Sequence, residues 1–337
     1  MPNTSQPVPA GSTLERLPVE IIQEIFLHCL EVNLPRASIT IARALSNPVL
    51  YTWVIRCVFS STNKSSRHGI FTPDFLPAPL DVFSISPKER RDLQNIILGC
   101  RWCTLPLMRK CQREYVEHAV HRKCGGLVFS PSDREILANL GNRFENIDIH
   151  RDEPHGYRGK GELILKGKVR KTNADCKVAL WFNFGALQIR ASSDIYTETD
   201  IFRLPCFTVD LPVRVPDKLL CPPWTEAKLE FLQLLSMDAY MDDEADHPRA
   251  KRVLRQVIRD RDLETFQRLL NMSIRVPWYN FPIRWPVLPN HFYVALKYAE
   301  ERDDPFVHLL VTQRWDDIPP DDFRLKMELM SKGGKGR

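Results

Sequence analysis

Residues 17–31, LPVEIIQEIFLHCLE, constrain the fold of this chain more than any other stretch. Pro18 suits the first turn of a helix, where its missing N–H has no intrahelical partner. Apolar side chains cover most of that helix, over an arc much wider than the roughly 100° that a surface helix usually buries. The helix therefore needs two partners: one flank packs on the helices that follow, and the other is free for another protein. A narrow polar stripe separates the flanks, made of Glu20, Gln23, Glu24, His28 and Glu31.

The same residues resemble the opening of an F-box, which reads LPxEIxxxIF and is followed by a further leucine. The matching positions are Leu17-Pro18, Glu20-Ile21, Ile25-Phe26 and Leu30. In that family, of which the poorly described fungal set is the most similar part, the first helices bind the Skp-type adaptor of cullin-RING (SCF-type) ubiquitin ligases. The resemblance implies a subunit that binds this adaptor and the cullin ligase core and recruits an unknown protein substrate. The adaptor-binding residues that it implies are Leu17, Pro18, Ile21, Ile22, Ile25, Phe26 and Cys29.

Residues 37–59, which follow a break at 33–35, predict two more short helices that meet at 47–48. Together with the first helix they have the three-helix size of an F-box. Trp53 is the counterpart of the tryptophan near the end of the family's motif. The family's usual pattern, a Ser followed by Val-Cys and then Trp, is not reproduced around Ser46. The alternative interpretation is a scaffold or interaction protein in which the first helix is wholly internal.

The composition is that of a globular protein without a strong charge. The chain has 337 residues, 43% of them hydrophobic, and 47 Lys and Arg against 42 Asp and Glu, a formal charge of +5. This surplus is too small for its length to predict binding to nucleic acid or to a membrane. Charged residues interrupt each apolar stretch before it spans a bilayer, and no signal peptide is evident. Nine scattered cysteines are typical of reduced thiols, which favours the cytoplasm or the nucleus.

The periodicity predicts an α+β protein that is mostly α, with a small antiparallel sheet where the apolar period changes to two. The lysines and arginines between Lys160 and Lys177 are interpreted as a solvated face, with anion binding as the alternative. The predicted parts are a disordered tail (1–15), an F-box-like three-helix domain (16–60), a linker (61–87), a helical region (88–145), a small antiparallel β region (146–220) and a helical, ankyrin-like region (221–337).

Residues 253–270 and 294–311 resemble one another and look like the helix pairs of ankyrin repeats. Such a pair buries its apolar face only against a stacked neighbour. Arg261 and Arg302 occupy turn positions where that family prefers Gly. The insert between the pairs carries aromatic residues among Pro and Arg, which either bind a partner or cover their own helices. The partner surface predicted from it consists of Trp278, Tyr279, Phe281 and Trp285.

The sequence offers few candidates for a catalytic or metal-binding site. A nucleophile elbow, a phosphate-binding glycine loop, an HExxH pair and a dinucleotide fingerprint are all missing, so the chain is predicted not to be an enzyme. A zinc-stabilised module is kept as an alternative, although helical spacing equally suits cysteines on a buried face, and no metal or cofactor is predicted. The zinc alternative would draw on Cys100, Cys103, Cys111, His118, His121 and Cys124.

Overall fold

A computed structural model describes residues 12–67, 69–141, 163–183, 185–191, 201–207, 213–277, 279, 281–300 and 303–332. This part of the chain is α+β and mostly α, with a small antiparallel sheet, as the sequence predicts. The chain divides into two compact units, Met1–Cys206 and Phe207–Arg337. None of the described helices has the length and apolar character needed to cross a membrane.

The N-terminal unit begins with three helices, α1 (Val19–Cys29), α2 (Ile39–Leu45) and α3 (Pro48–Phe59). Pro18 is the N-cap of α1, one residue earlier than the predicted first-turn position. The side chains of Ser38 and Asn47 accept backbone N–H bonds from α2 and α3, and these caps fix where the two helices begin. Helix α1 packs on α2, where the Gln23 side-chain amide donates to the Ala44 carbonyl over 2.8 Å.

Helix α3 lies in the core of this unit. After the short α4 (Lys64–Arg67), the chain forms α5 (Pro87–Gly99) and α6 (Leu105–Cys124), and both contact α3. Ile55, Val58 and Phe59 of α3 have no exposed surface. The segment predicted to be a linker is packed as well, because Phe75 lies 5.6 Å from the Tyr115 ring of α6.

The sheet belongs to the same unit. The elements that follow α6 are β1 (Leu127–Phe129), α7 (Pro131–Ala138), β2 (Leu163–Val169), β3 (Asp175–Asn183), β4 (Ala186–Ala191) and β5 (Ile201–Arg203). The strand order in the sheet is β1-β2-β3-β4-β5 with every neighbouring pair antiparallel, and β4 contacts α6. The boundaries predicted at 60, 87 and 145 therefore all lie inside one compact unit.

The C-terminal unit is built from stacked helices. Its elements are α8 (Glu226–Ser236), α9 (Pro248–Arg259), α10 (Leu263–Asn271), β6 (Ser273–Ile274), β7 (Ile283–Arg284), α11 (Pro289–Tyr298), α12 (Pro305–Arg314) and α13 (Phe323–Lys332). The helix pair α9–α10 stacks on the pair α11–α12: α9 contacts α11 and α10 contacts α12. Helix α13 contacts both α11 and α12.

The turns inside the two helix pairs share one conformation. Arg261 has φ +56° and Asp303 has φ +69°, and each directly precedes the aspartate that caps the second helix of its pair. This left-handed region favours glycine, and at Arg261 the ankyrin resemblance also prefers glycine. The Arg261 side chain forms an ion pair with Asp304, whose side chain is buried. Arg302 lies outside the described residues.

Candidate protein-binding surface on the first helix

The inner half of α1 is part of the core. Ile22, Phe26 and Leu27 are only 1%, 6% and 6% exposed, because they face the neighbouring helices of the unit. Residues 22 and 26 are four apart and share a helix face, so the side that buries one also buries the other. The prediction that Ile22 and Phe26 bind the adaptor is therefore wrong for this structure: both are core residues.

The outer half of α1 keeps an apolar strip at the surface. We call Pro18, Ile21, Ile25 and Cys29 the outer strip; these residues follow one another at steps of three or four along the helix, and all are exposed. Ile21 is 41% exposed and Ile25 37%. Leu17, which precedes the helix, is half-buried. The wide apolar arc is thus divided between an inner face that is buried in the unit and an outer strip that remains partly exposed.

Polar residues border the outer strip on one side. Glu20, Glu24 and His28 are all exposed and follow the same helical steps one residue before the strip. The outer half of α1 therefore presents aliphatic side chains beside two carboxylates. Such a surface matches a partner with an apolar groove and basic side chains at its rim.

Two further apolar residues at the surface were not singled out from the sequence. Ile39 is 70% exposed and Val49 is 49% exposed. Ser38, the neighbour of Ile39, forms a hydrogen bond with the Glu15 carboxylate that lowers the pKa of Glu15, which places the start of α2 beside the residues that precede α1. A signal was present in the sequence, since both residues follow closely after the capping residues Ser38 and Asn47, and the first turn of a helix often projects beyond the core.

The aromatic insert is divided in a similar way. Tyr279 is 58% exposed and Phe281 80% exposed. Trp285 is completely buried, and its indole N–H donates to the Ala250 carbonyl of α9 over 3.3 Å. Its prediction as a partner-binding residue is therefore wrong, because its ring covers the chain's own helices. Trp278 lies outside the described residues.

The Cys and His residues of α6 and the loop before it are separated by the packing. Burial raises the pKa of the Cys111 thiol to about 12 and that of Cys124 to about 11, which keeps both protonated. The His118 ring stacks on Phe75 at 4.6 Å and hydrogen-bonds the Ile70 carbonyl, and burial lowers its pKa.

These residues do not form a zinc site. Cys103 is buried, Cys100 is half-buried and bonds the Ile96 carbonyl, and His121 is exposed. Within the described ranges no three His, Cys, Asp or Glu side chains lie close enough to hold a metal ion. None of the nine cysteines, all of which lie in the described ranges, forms a disulfide bond. The cysteines of this segment are therefore explained by core packing, and the zinc-stabilised alternative loses its support.

Two hollows on the described surface are open to solvent. One of about 420 Å³ lies beside β1 and β2, and another of about 400 Å³ lies at the ends of α10 and α12. Neither is lined by a His or a Cys that would serve as a base or nucleophile. The outer strip remains the strongest candidate site in the described part of the chain.

Comparisons with known proteins give no relative from which to argue: no family model, no curated protein and no solved structure matches this chain.

Proposed function

We propose that this chain is a substrate-recruiting, F-box-type subunit of a cullin-RING (SCF-type) ubiquitin ligase that docks on the Skp-type adaptor through the outer strip of α1. The observation that carries the proposal is the exposure of Ile21 and Ile25 within a segment that matches the family's opening motif. In this function the chain acts by binding, without catalysis of its own, in the cytoplasm or the nucleus.

Ile21 and Ile25 of α1 supply too little binding free energy to hold a complex by themselves. Burying a fully exposed aliphatic side chain contributes about 1.5–3 kcal/mol, so Ile21 and Ile25, each less than half exposed, contribute about 1 kcal/mol each. Association costs at least about 4 kcal/mol in lost translational and rotational freedom. A stable complex therefore needs apolar contacts beyond these two residues, and the exposed Ile39 and Val49 are candidates to supply them.

The rest of the chain recruits the substrate in this proposal. The exposed aromatic side chains of Tyr279 and Phe281 lie on the connection between β6 and β7, in the C-terminal unit. Aromatic residues of this kind are frequent anchors of protein–protein interfaces. They use different residues from the outer strip, so adaptor and substrate do not compete for the same side chains.

The test is a pull-down of a Skp-type adaptor by the full-length chain. Wild type is compared with the double variant Ile21→Asp/Ile25→Asp and with Ile96→Asp on α5, a matched control because Ile96 is 42% exposed in the same unit. We expect wild type and the control to bind and the double variant to lose at least tenfold in affinity, with unchanged circular dichroism. Failure of wild type to bind, or equal losses in the control, would refute the proposal.

A second candidate is a non-enzymatic scaffold that binds its partner only through Tyr279 and Phe281. The 80% exposure of Phe281 favours it. The two candidates differ in the pull-down, because a scaffold of this kind does not retain the adaptor at all.

A further inference from the structure

The hairpin of β2 and β3 concentrates positive charge. Between residues 163 and 183 five cationic side chains are all exposed, and the only carboxylate is Asp175. The hairpin thus has a surplus of four positive charges, whereas the whole chain has a formal charge of +5. The five cations are Lys166, Lys168, Arg170, Lys171 and Lys177.

The strand register places two of these cations against each other. Lys166 lies directly opposite Lys177 on the exposed face, and like charges in this position destabilise a sheet. Lys168 lies opposite Asp175, with 4.0 Å between its ammonium nitrogen and the carboxylate oxygen. Asp133 is also near, but its carboxylate accepts the backbone N–H of Lys166. Among the described carboxylates, therefore, only Asp175 forms an ion pair with the hairpin.

Aliphatic side chains lie among these cations. Ile164 is two residues before Lys166 on the same face of β2 and is 44% exposed. Val128 of β1 pairs with Lys168 and is 41% exposed. A hollow of about 420 Å³ runs beside these strands and is lined by both Val128 and Lys168. The face therefore combines apolar contact with spaced positive charge.

The aliphatic and cationic side chains of this face favour one class of anionic partner over the others. Single-stranded nucleic acids stack their bases on exposed aromatic side chains, and membrane surfaces favour Trp and Tyr. The aromatic residue on this face, Trp181, is only 7% exposed. Aliphatic and cationic side chains that share one face of the sheet instead match a peptide segment that carries both carboxylates and aliphatic residues.

We propose that the exposed face of the β2–β3 hairpin binds an acidic segment of another protein. Carboxylates of that segment pair with Lys166, Lys168 and Lys177, and its aliphatic side chains contact Val128 and Ile164. A carboxylate of the bound segment that lies between Lys166 and Lys177 removes the repulsion between these two lysines in the free hairpin. This proposal uses none of the residues assigned to the adaptor and stands whether or not the adaptor binds.

The test is fluorescence anisotropy of the full-length chain with a labelled twelve-residue peptide of the repeat Glu-Glu-Val-Val, which in extended form presents both residue types on the same face. The informative variant is Lys177→Glu, because Glu opposite Lys166 creates an attractive cross-strand pair and so does not lower Tm. The matched control is Lys88→Glu, which reverses an exposed charge on α5 of the same unit. A 20-nucleotide single-stranded DNA and phosphatidylserine vesicles are measured in parallel.

We expect the peptide to bind wild type and the Lys88→Glu control equally and Lys177→Glu at least tenfold more weakly, with Tm equal to or above that of wild type. Binding to wild type should weaken as salt is raised. The proposal is overturned by unchanged affinity in Lys177→Glu, by an equal loss in the control, by a loss of affinity accompanied by a lowered Tm, or by tighter binding of the DNA or the vesicles than of the peptide.

Discussion

Helices α1 and α3 have similarly apolar sequences, but the protein uses them differently. Helix α3 lies between α5 and α6, and its side chains at Leu50, Val54, Ile55 and Val58 are at most 1% exposed. Helix α1 has α2 as its main neighbour and keeps the outer strip at the surface. The number of neighbours, more than the hydrophobicity of the helix, decides how much of an apolar arc is buried. Apolar surface left over on α1 is then available to a partner.

The C-terminal ends of α1 and α3 also differ in the hydrogen bonds that they receive. In α5, Arg90 donates from Nε to the Val58 carbonyl over 2.9 Å and from Nη2 to the Ser60 carbonyl, while the Gln94 amide also donates to Val58. These donors satisfy carbonyls that the end of α3 leaves without intrahelical partners. Helix α1 instead ends with Leu30 in the left-handed conformation, at φ +47°, with a bond from its own N–H to the Phe26 carbonyl. Both helices end with a local backbone bond, and the end of α3 receives further hydrogen bonds from side chains of α5.

The largest expected effect concerns the inner half of α1. Phe26→Ala removes most of a ring that is 6% exposed and leaves a cavity between α1 and its neighbours, so it should lower the free energy of unfolding by about 3–5 kcal/mol. Urea denaturation of the full-length protein measures this. A loss below about 1 kcal/mol would mean that the inner half is not core, and the division of α1 into two halves would fail.

Helix α11 extends the comparison to the C-terminal unit, because it is enclosed like α3. The His291 ring accepts the Leu288 N–H at Nδ1 (3.0 Å) and is bonded through Nε2 to the Lys251 carbonyl (3.1 Å). Burial lowers the pKa of His291 to about 4, well below its value of roughly 6.5 in the unfolded chain.

The unfolded state therefore binds more protons than the folded state between pH 6.5 and 4. The stability contributed by neutral His291 is complete above pH 6.5 and falls by about 3 kcal/mol as the pH is lowered towards 4. Urea titrations of wild type and His291→Gln across this range measure the difference, which isolates His291 from the carboxylates. Parallel pH profiles for the two proteins would contradict the assignment.

Arg90→Met tests the dependence of α3 on distant donors. The variant keeps much of the side-chain volume but removes both guanidinium bonds to the end of α3, and we expect a loss of about 2 kcal/mol. Thermal unfolding by circular dichroism gives the comparison. Arg91→Met is the control, because the side chain of Arg91 is bonded to its exposed neighbour Asp92. Equal shifts in Tm for the two variants would show that the end of α3 does not need these bonds.

The smallest effect is expected on the outer strip. Ile25→Ala removes a side chain that is 37% exposed, so its cost in the isolated chain should stay below about 1 kcal/mol. The same variant should weaken adaptor binding, since the removed atoms face the proposed partner. A stability loss as large as that of Phe26→Ala would place Ile25 in the core and remove the contrast between the two halves.

Much of the architecture follows from local sequence rules. The starts of α2 and α3 are set by Ser38 and Asn47, whose capping bonds are local. The change of apolar period predicts the sheet, and the repeated segments predict helix pairs that stack. These features depend on residues within a few positions of each other, so a single sequence is enough to predict them.

The division of each apolar surface is not local. Ile21 and Ile22 are neighbours with the same side chain, and only the position of α2 decides which is buried. Trp285 is enclosed because its indole reaches the Ala250 carbonyl, 35 residues away in the chain. Cys111 and Cys124 belong to the Cys and His set of the zinc alternative, but contacts from other elements bury them. Such outcomes depend on tertiary packing, which periodicity does not specify.

The central claim is that the outer strip of α1 is a docking surface for the adaptor, and Cys29 allows it to be measured directly. Cys29 is an exposed member of the strip, and Cys221 is an exposed cysteine in the other unit. We would follow the labelling rates of both thiols with a maleimide in the full-length chain, without and with excess Skp-type adaptor, by peptide mass spectrometry. The account predicts that the adaptor slows labelling of Cys29 at least tenfold and leaves Cys221 unchanged. Equal labelling of Cys29 with and without the adaptor would contradict it.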